Sequence, residues 1–97
     1  MESSLKIDNS GLGNNILFPN PAEEEVKVFL RERNSSGDVN LTISDSMGRV
    51  YLTEKKFKGE TEFSTKVAVG DLPEGLYVLT LEFLIGGRSK SFLFYKN

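Results

Sequence analysis

The stretch Leu76-Tyr77-Val78-Leu79-Thr80-Leu81-Glu82-Phe83-Leu84-Ile85-Gly86-Gly87-Arg88-Ser89-Lys90-Ser91-Phe92-Leu93-Phe94-Tyr95-Lys96 decides the fold. Apolar residues recur at every second position on both sides of Gly86-Gly87, the period of a strand rather than a helix. A Gly-Gly pair suits a two-residue primed turn, because both residues reach positive φ without a Cβ clash. With the turn centred there, Leu81 faces Phe92, Leu79 faces Phe94 and Tyr77 faces Lys96. Directly opposed residues share a sheet face, so Tyr77, Leu79, Leu81, Phe92 and Phe94 form one apolar face. The other face carries Val78, Thr80, Glu82, Ser91, Leu93 and Tyr95. A slip by one residue would bury Thr80 and Glu82 instead, so the pattern predicts one core side and one mixed side.

The same period runs upstream. Val26, Val28 and Leu30 alternate with Lys27, Phe29 and Arg31, and Val39, Leu41 and Ile43 alternate with Asn40, Thr42 and Ser44. Asp45-Ser46-Met47-Gly48 places Asp first and Gly fourth, as a type I turn prefers. Val50 and Leu52 begin another strand, which fades into Glu54-Lys55-Lys56, and Phe63, Thr65, Val67 and Val69 form a further alternating set. In Leu72-Pro73-Glu74-Gly75 the proline occupies the second turn position, where its fixed φ fits. The count is six strands, with a seventh at 16–18 or within 55–62. Short, evenly spaced strands with no helical period predict an all-β domain, an immunoglobulin-like antiparallel β-sandwich of about seven strands. Tyr77, at the start of a late strand, either returns its hydroxyl to the upstream loop as a tyrosine corner or is a partly buried core residue.

Ahead of the strands, Asp8-Asn9-Ser10-Gly11-Leu12-Gly13-Asn14-Asn15 has the composition of a flexible linker. Residues 1–15 therefore read as a leader and 16–97 as the folded domain. Pro19 and Pro21 bias Phe18 and Asn20 toward extended backbone and suit a sheet edge, since neither proline donates a hydrogen bond.

At 97 residues the chain is one small domain, which buries roughly 60–65% of its unfolded surface on folding. Fourteen acidic and twelve basic residues leave a net charge of −2, which offers no footprint for nucleic acid. The absence of Cys removes disulfides, thiolate nucleophiles and ordinary zinc sites; the absence of His removes the commonest general base and metal ligand. A cysteine-free chain fits any redox compartment. No apolar run approaches the ~20 residues of a membrane span. Met1-Glu2-Ser3-Ser4 lacks the features of a signal peptide, so Met1 reads as an added start codon rather than a native N-terminus.

Three turn signals then stand in a fixed order: Phe18-Pro19-Asn20-Pro21, then Asp45 with Gly48-Arg49, then Leu72-Pro73-Glu74-Gly75-Leu76-Tyr77, followed by a terminal strand bearing Lys90 and Lys96. Each alone is good β-turn chemistry. In this order they resemble the C-terminal sorting domain of type IX secretion cargo, the Por system of Bacteroidetes-type bacteria, over residues 17–97. The motif residues Phe18, Pro19, Asn20, Pro21, Asp45, Gly48, Arg49, Leu72, Pro73, Gly75 and Tyr77 would serve mainly to shape the fold. One departure is the ending Phe94-Tyr95-Lys96-Asn97, with a single basic residue where relatives often carry two or more.

The resemblance implies a domain that follows an N-terminal cargo through the periplasm to the outer-membrane translocon, aided by shuttle proteins. It implies cleavage within residues 1–15 by a sortase-like cysteine peptidase, leaving the cargo at the cell surface or secreted. The domain would be a substrate of that machinery rather than an enzyme, with no catalytic residue, metal or cofactor. Recognition would fall on Lys90, Leu93, Tyr95, Lys96 and Asn97 at the C-terminal end, although a basic residue such as Lys90 also protects an edge strand from aggregation. Glu23-Glu24-Glu25 reads as a solvated strand entry, and Asp38, Asp45 and Asp71 lack calcium-loop spacing. The alternative is a retained β-sandwich module binding carbohydrate or protein, for which Tyr51 and Tyr95 are the candidate exposed aromatics. An enzyme using Glu60 and Glu62 is disfavoured, because that spacing marks a wet strand face and no insertion forms a cleft.

Overall fold

A computed structural model describes residues 15–31, 36–59 and 62–97. The expected leader lies outside the described residues except for Asn15, whose side-chain oxygen accepts the Arg31 N–H at 3.3 Å. Glu60 also lies outside them.

Among the described residues seven strands follow one another: β1 (Ile16–Phe18), β2 (Glu25–Arg31), β3 (Gly37–Asp45), β4 (Val50–Lys58), β5 (Glu62–Ala68), β6 (Gly75–Phe83) and β7 (Arg88–Lys96). They form two antiparallel sheets, one ordered β1-β2-β5 and the other β4-β3-β6-β7. The alternation read from the sequence sorts the side chains as expected. Val26, Val28 and Leu30 from one sheet meet Val39, Leu41, Ile43, Leu79 and Leu81 from the other, all of them fully buried. Phe63, Val67, Phe83 and Phe94 complete this single core. The all-β sandwich and its seven strands are thus as the sequence predicts, with the seventh at 16–18.

The last hairpin keeps its predicted faces but not its predicted partners. Tyr77 pairs with Phe94, Leu79 with Phe92 and Leu81 with Lys90. The ladder closes at Phe83 and Arg88, so residues 84–87 form a four-residue turn with Gly86 and Gly87 both at positive φ. The Leu84 N–H is donated to the Asp38 carbonyl at 3.1 Å, so the chain stays in register with β3 for one residue past its last pair with β7. Ile85 then lies over Gly37, where any Cβ would stand 2.7 Å from its Cδ1. The slip is by two residues, an even number, so every side chain stays on its face.

β4 also departs from the sequence reading, continuing through Glu54-Lys55-Lys56 to Lys58. Opposite Ile43, Leu41, Val39 and Gly37 stand Leu52, Glu54, Lys56 and Lys58, so the core-facing row of this edge strand is largely charged. Lys56 pairs with Glu54 at 2.9 Å, and Lys58 is fully buried with its ammonium donated to the Gly59 carbonyl at 3.0 Å. Charges turned inward on an edge strand discourage pairing with another chain. They also hide the strand from pattern reading.

Candidate functional site

The three turn signals, scattered over the sequence, come together at one end of the sandwich, opposite the 84–87 turn. β3 and β6 pair Asp45 with Tyr77, β6 and β7 pair Tyr77 with Phe94, and two positions further on Gly75 stands opposite Lys96.

The Asp45 turn is tied by its own side chain. Gly48 donates its N–H to the Asp45 carbonyl at 3.0 Å, while Asp45 Oδ1 accepts the N–H groups of Met47 and Arg49, both at 2.9 Å. Arg49 adds an ion pair at 3.4 Å. The Arg49 N–H, followed by that of Met47 and the Arg49 charge, holds the Asp45 carboxyl below the usual carboxylate range against the opposing effect of burial. Gly48 sits at φ +86°, which closes this type I turn with a left-handed residue. One step later the register shifts, Ile43 facing Leu52 but Ser44 facing Val50. Tyr51 is the extra residue, and its ring meets the Tyr77 ring edge-on at 5.6 Å. Tyr51 is therefore half-buried packing and not the exposed aromatic that a binding module would want.

Tyr77 is the centre of this end. Its hydroxyl donates to the Pro73 carbonyl at 2.6 Å, which resolves the two sequence readings in favour of the tyrosine corner. Its ring stacks on Phe94 at 5.7 Å. Burial, with Tyr51 and Asp45 nearby, raises its pKa.

The entry segment closes the structure. After β1 the chain passes the cis bonds Phe18–Pro19 and Asn20–Pro21 and crosses to β7. There Ala22 donates to the Tyr95 carbonyl at 2.7 Å and accepts from Asn97 at 2.9 Å, forming a parallel bridge with Lys96. Asn20 Oδ1 accepts the Tyr95 N–H at 2.9 Å. The predicted edge position of the prolines holds, and the edge they meet is that of the terminal strand. Sequence reading passed over Ala22, which is fully buried at this junction. Small size between Pro21 and an acidic run was its only signal.

The residues expected to be read at the C-terminal end divide in two. Leu93 is 63% and Tyr95 40% exposed. Asn97 is also exposed, and Lys90 is half-buried. Lys96 faces inward, only 6% exposed, with its ammonium donated to the Asn97 carbonyl oxygen at 2.6 Å. Its parity with Phe94 puts its stem on the core side. Tyr95 extends its hydroxyl to Glu74 at 3.4 Å.

Among the described residues no three His, Cys, Asp or Glu side chains gather as metal ligands, and no helix is long and apolar enough to cross a membrane. What this end offers is a shaped, hydrogen-bonded surface: a terminal strand held by the start of its own domain. No curated protein and no solved structure matches the chain. The family model described as the secretion system C-terminal sorting domain matches residues 16–92, which takes in all three turn signals and most of β7. The chain therefore belongs to the type IX secretion C-terminal sorting domain family, which is not an enzyme family.

Proposed function

We propose that this domain carries an N-terminally attached cargo through the periplasm to the type IX outer-membrane translocon, and is then cut off at the cell surface. Membership of the family gives the sorting role and export. The observation that carries the finer reading is the clasp of Asn20 and Ala22 on Tyr95 and Asn97, which joins the end nearest the cargo to the terminal strand. The translocon and its shuttle proteins would read the surface formed by Lys90, Leu93, Tyr95 and Asn97. Lys96 would act there by fixing the position of Asn97 rather than by presenting a free charge. A sortase-like cysteine peptidase would cut within residues 1–15, ahead of the first strand, where an extended backbone can enter a protease cleft.

The experiment is to fuse residues 1–97 behind a fluorescent protein in a bacterium with a working type IX system and to measure the exported product by mass spectrometry. Cargo ending within residues 1–15 is expected. A cut inside 26–30 would contradict the reading, because that segment is the buried strand β2.

A retained binding module is favoured by one feature, a shallow groove of about 490 Å³ outside the three-stranded sheet, lined by Ile16, Phe18, Phe29, Lys27 and Lys66. On that reading the fusion stays in the periplasm, folded and uncut.

A further inference from the structure

The outer face of the three-stranded sheet carries a charge pattern that works against the fold. Lys27 and Phe29 alternate with the buried Val26, Val28 and Leu30, and Ser64 and Lys66 with the buried Phe63 and Val67, so all four point away from the core. Ile16 and Phe18 lie beside them on β1, 48% and 42% exposed. The register sets these side chains in two rows across the sheet, Phe18, Lys27 and Lys66 in one and Ile16, Phe29 and Ser64 in the next. Together they line the groove of about 490 Å³. Lys27 and Lys66 are thus direct cross-strand neighbours of like charge, an arrangement that destabilises a sheet. In the described strand pairs every other charged residue stands opposite a neutral one or, as Arg31 does with Glu62, opposite the other sign. Neither lysine is in an ion pair among the described residues. The Lys27 ammonium instead lies 6.0 Å from the centre of the Phe18 ring.

We propose that this groove binds a single-chain amphiphilic anion, with its head between Lys27 and Lys66 and its alkyl chain over Ile16, Phe18 and Phe29. The proposal goes beyond the sorting reading. The groove lies on the other sheet from the terminal strand and shares none of Lys90, Leu93, Tyr95 and Asn97, so either can fail while the other stands. Charge and pattern select the occupant. A compact anion between the two ammonium groups replaces their repulsion with two attractions, and the Ser64 hydroxyl stands ready to donate beside it. An inorganic ion would leave Ile16, Phe18 and Phe29 uncovered, and a neutral lipid would leave the lysines unmatched. Glu25 and Glu62 stand on the same face at its two ends, by the same alternation. An extended anionic surface, such as a bilayer, would meet like charge there, whereas one head group fits between them. The volume lies within the ~300–1,000 Å³ of small-molecule sites, and a few polar groups set among apolar ones are what such sites present.

The test titrates isotope-labelled residues 1–97 with decyl phosphate, kept below its micelle concentration, and follows the amide signals by NMR. Shifts should saturate at Phe18, Lys27, Phe29, Ser64 and Lys66 while those of β6 and β7 stay in place. Inorganic phosphate, which is the head alone, and decyl maltoside, which is the chain on a neutral head, should each bind about tenfold more weakly or worse. Lys66→Glu sets opposite charges across the strand pair. It should weaken decyl phosphate about tenfold while the urea midpoint holds or rises, which separates lost binding from lost folding. Ile16→Ser should weaken decyl phosphate about tenfold with the circular dichroism unchanged. Four results would overturn the proposal: decyl maltoside or decyltrimethylammonium binding as tightly as decyl phosphate, shifts that begin only once micelles form, shifts confined to the four-stranded sheet, or undiminished binding by the folded Lys66→Glu variant.

Discussion

Tyr77 shows how one side chain can fix the end of a sandwich. Its ring is held between Tyr51 and Phe94, and its hydroxyl ties β6 to the loop before it. Tyr77→Phe keeps the rings and loses one hydrogen bond, so urea unfolding should show a loss of about 1 kcal/mol. An unchanged midpoint would remove the corner from the account. Asp45 gives a pH signature. Its carboxyl is held below the ordinary 3.8, so its contribution is complete above that value and is lost as the pH falls through the lower, folded value. Asp45→Asn keeps an acceptor oxygen without the charge. The wild type should therefore be the more stable at pH 7, with the gap shrinking as the pH falls below 3.8; a gap independent of pH would contradict this. Both residues were legible in the sequence because turn chemistry is local. Lys96 was not, since a lysine near a chain end reads as exposed until strand parity shows its stem facing the core.

At the scale of elements, the strands that alternate cleanly were legible and those that break the pattern were not. Val26 to Leu30 and Val39 to Ile43 announce themselves, because one face is apolar and the other wet. β4 does not, because as an edge strand it turns Glu54, Lys56 and Lys58 inward. Hairpin register was half legible: pattern fixes which face a residue occupies, but turns that differ by two residues keep the same faces, so the pattern does not choose between them. Gly48→Ala should cost about 1–2 kcal/mol, all of it backbone, as an added Cβ at φ +86° meets nothing within 4 Å. Lys58 is one of the three inward charges of β4. Burial pushes its ammonium's pKa below the ordinary 10.5, so it weakens the fold at neutral pH, and that penalty shrinks as the pH rises toward 10.5. Lys58→Met should raise the urea midpoint at pH 7 and, with the inward charge gone, promote concentration-dependent association in sedimentation. A lower midpoint with no association would sink the guard reading.

On the scale of the whole molecule, the domain joins its two ends. The strand order brings Phe18-Pro19-Asn20-Pro21, the Asp45 turn and the Tyr77 corner to the end where β7 finishes, a convergence that needs the topology and is invisible in the linear motif order. Asn20→Ala should loosen that end alone. Amide exchange of Tyr95 and Asn97 should quicken about tenfold, with Leu79 and Leu81 unaffected. Uniform quickening would mean that the clasp is part of global stability and not a local latch. The central claim is that these residues are sufficient to send a passenger through the type IX system. The most direct measurement is the fraction of a fluorescent cargo, given a periplasmic signal peptide and fused ahead of residues 1–97, that is found outside the cell in a host with a working translocon and in a translocon-deficient twin. The account predicts external cargo in the working host only. Folded cargo retained in the periplasm of both hosts would contradict it.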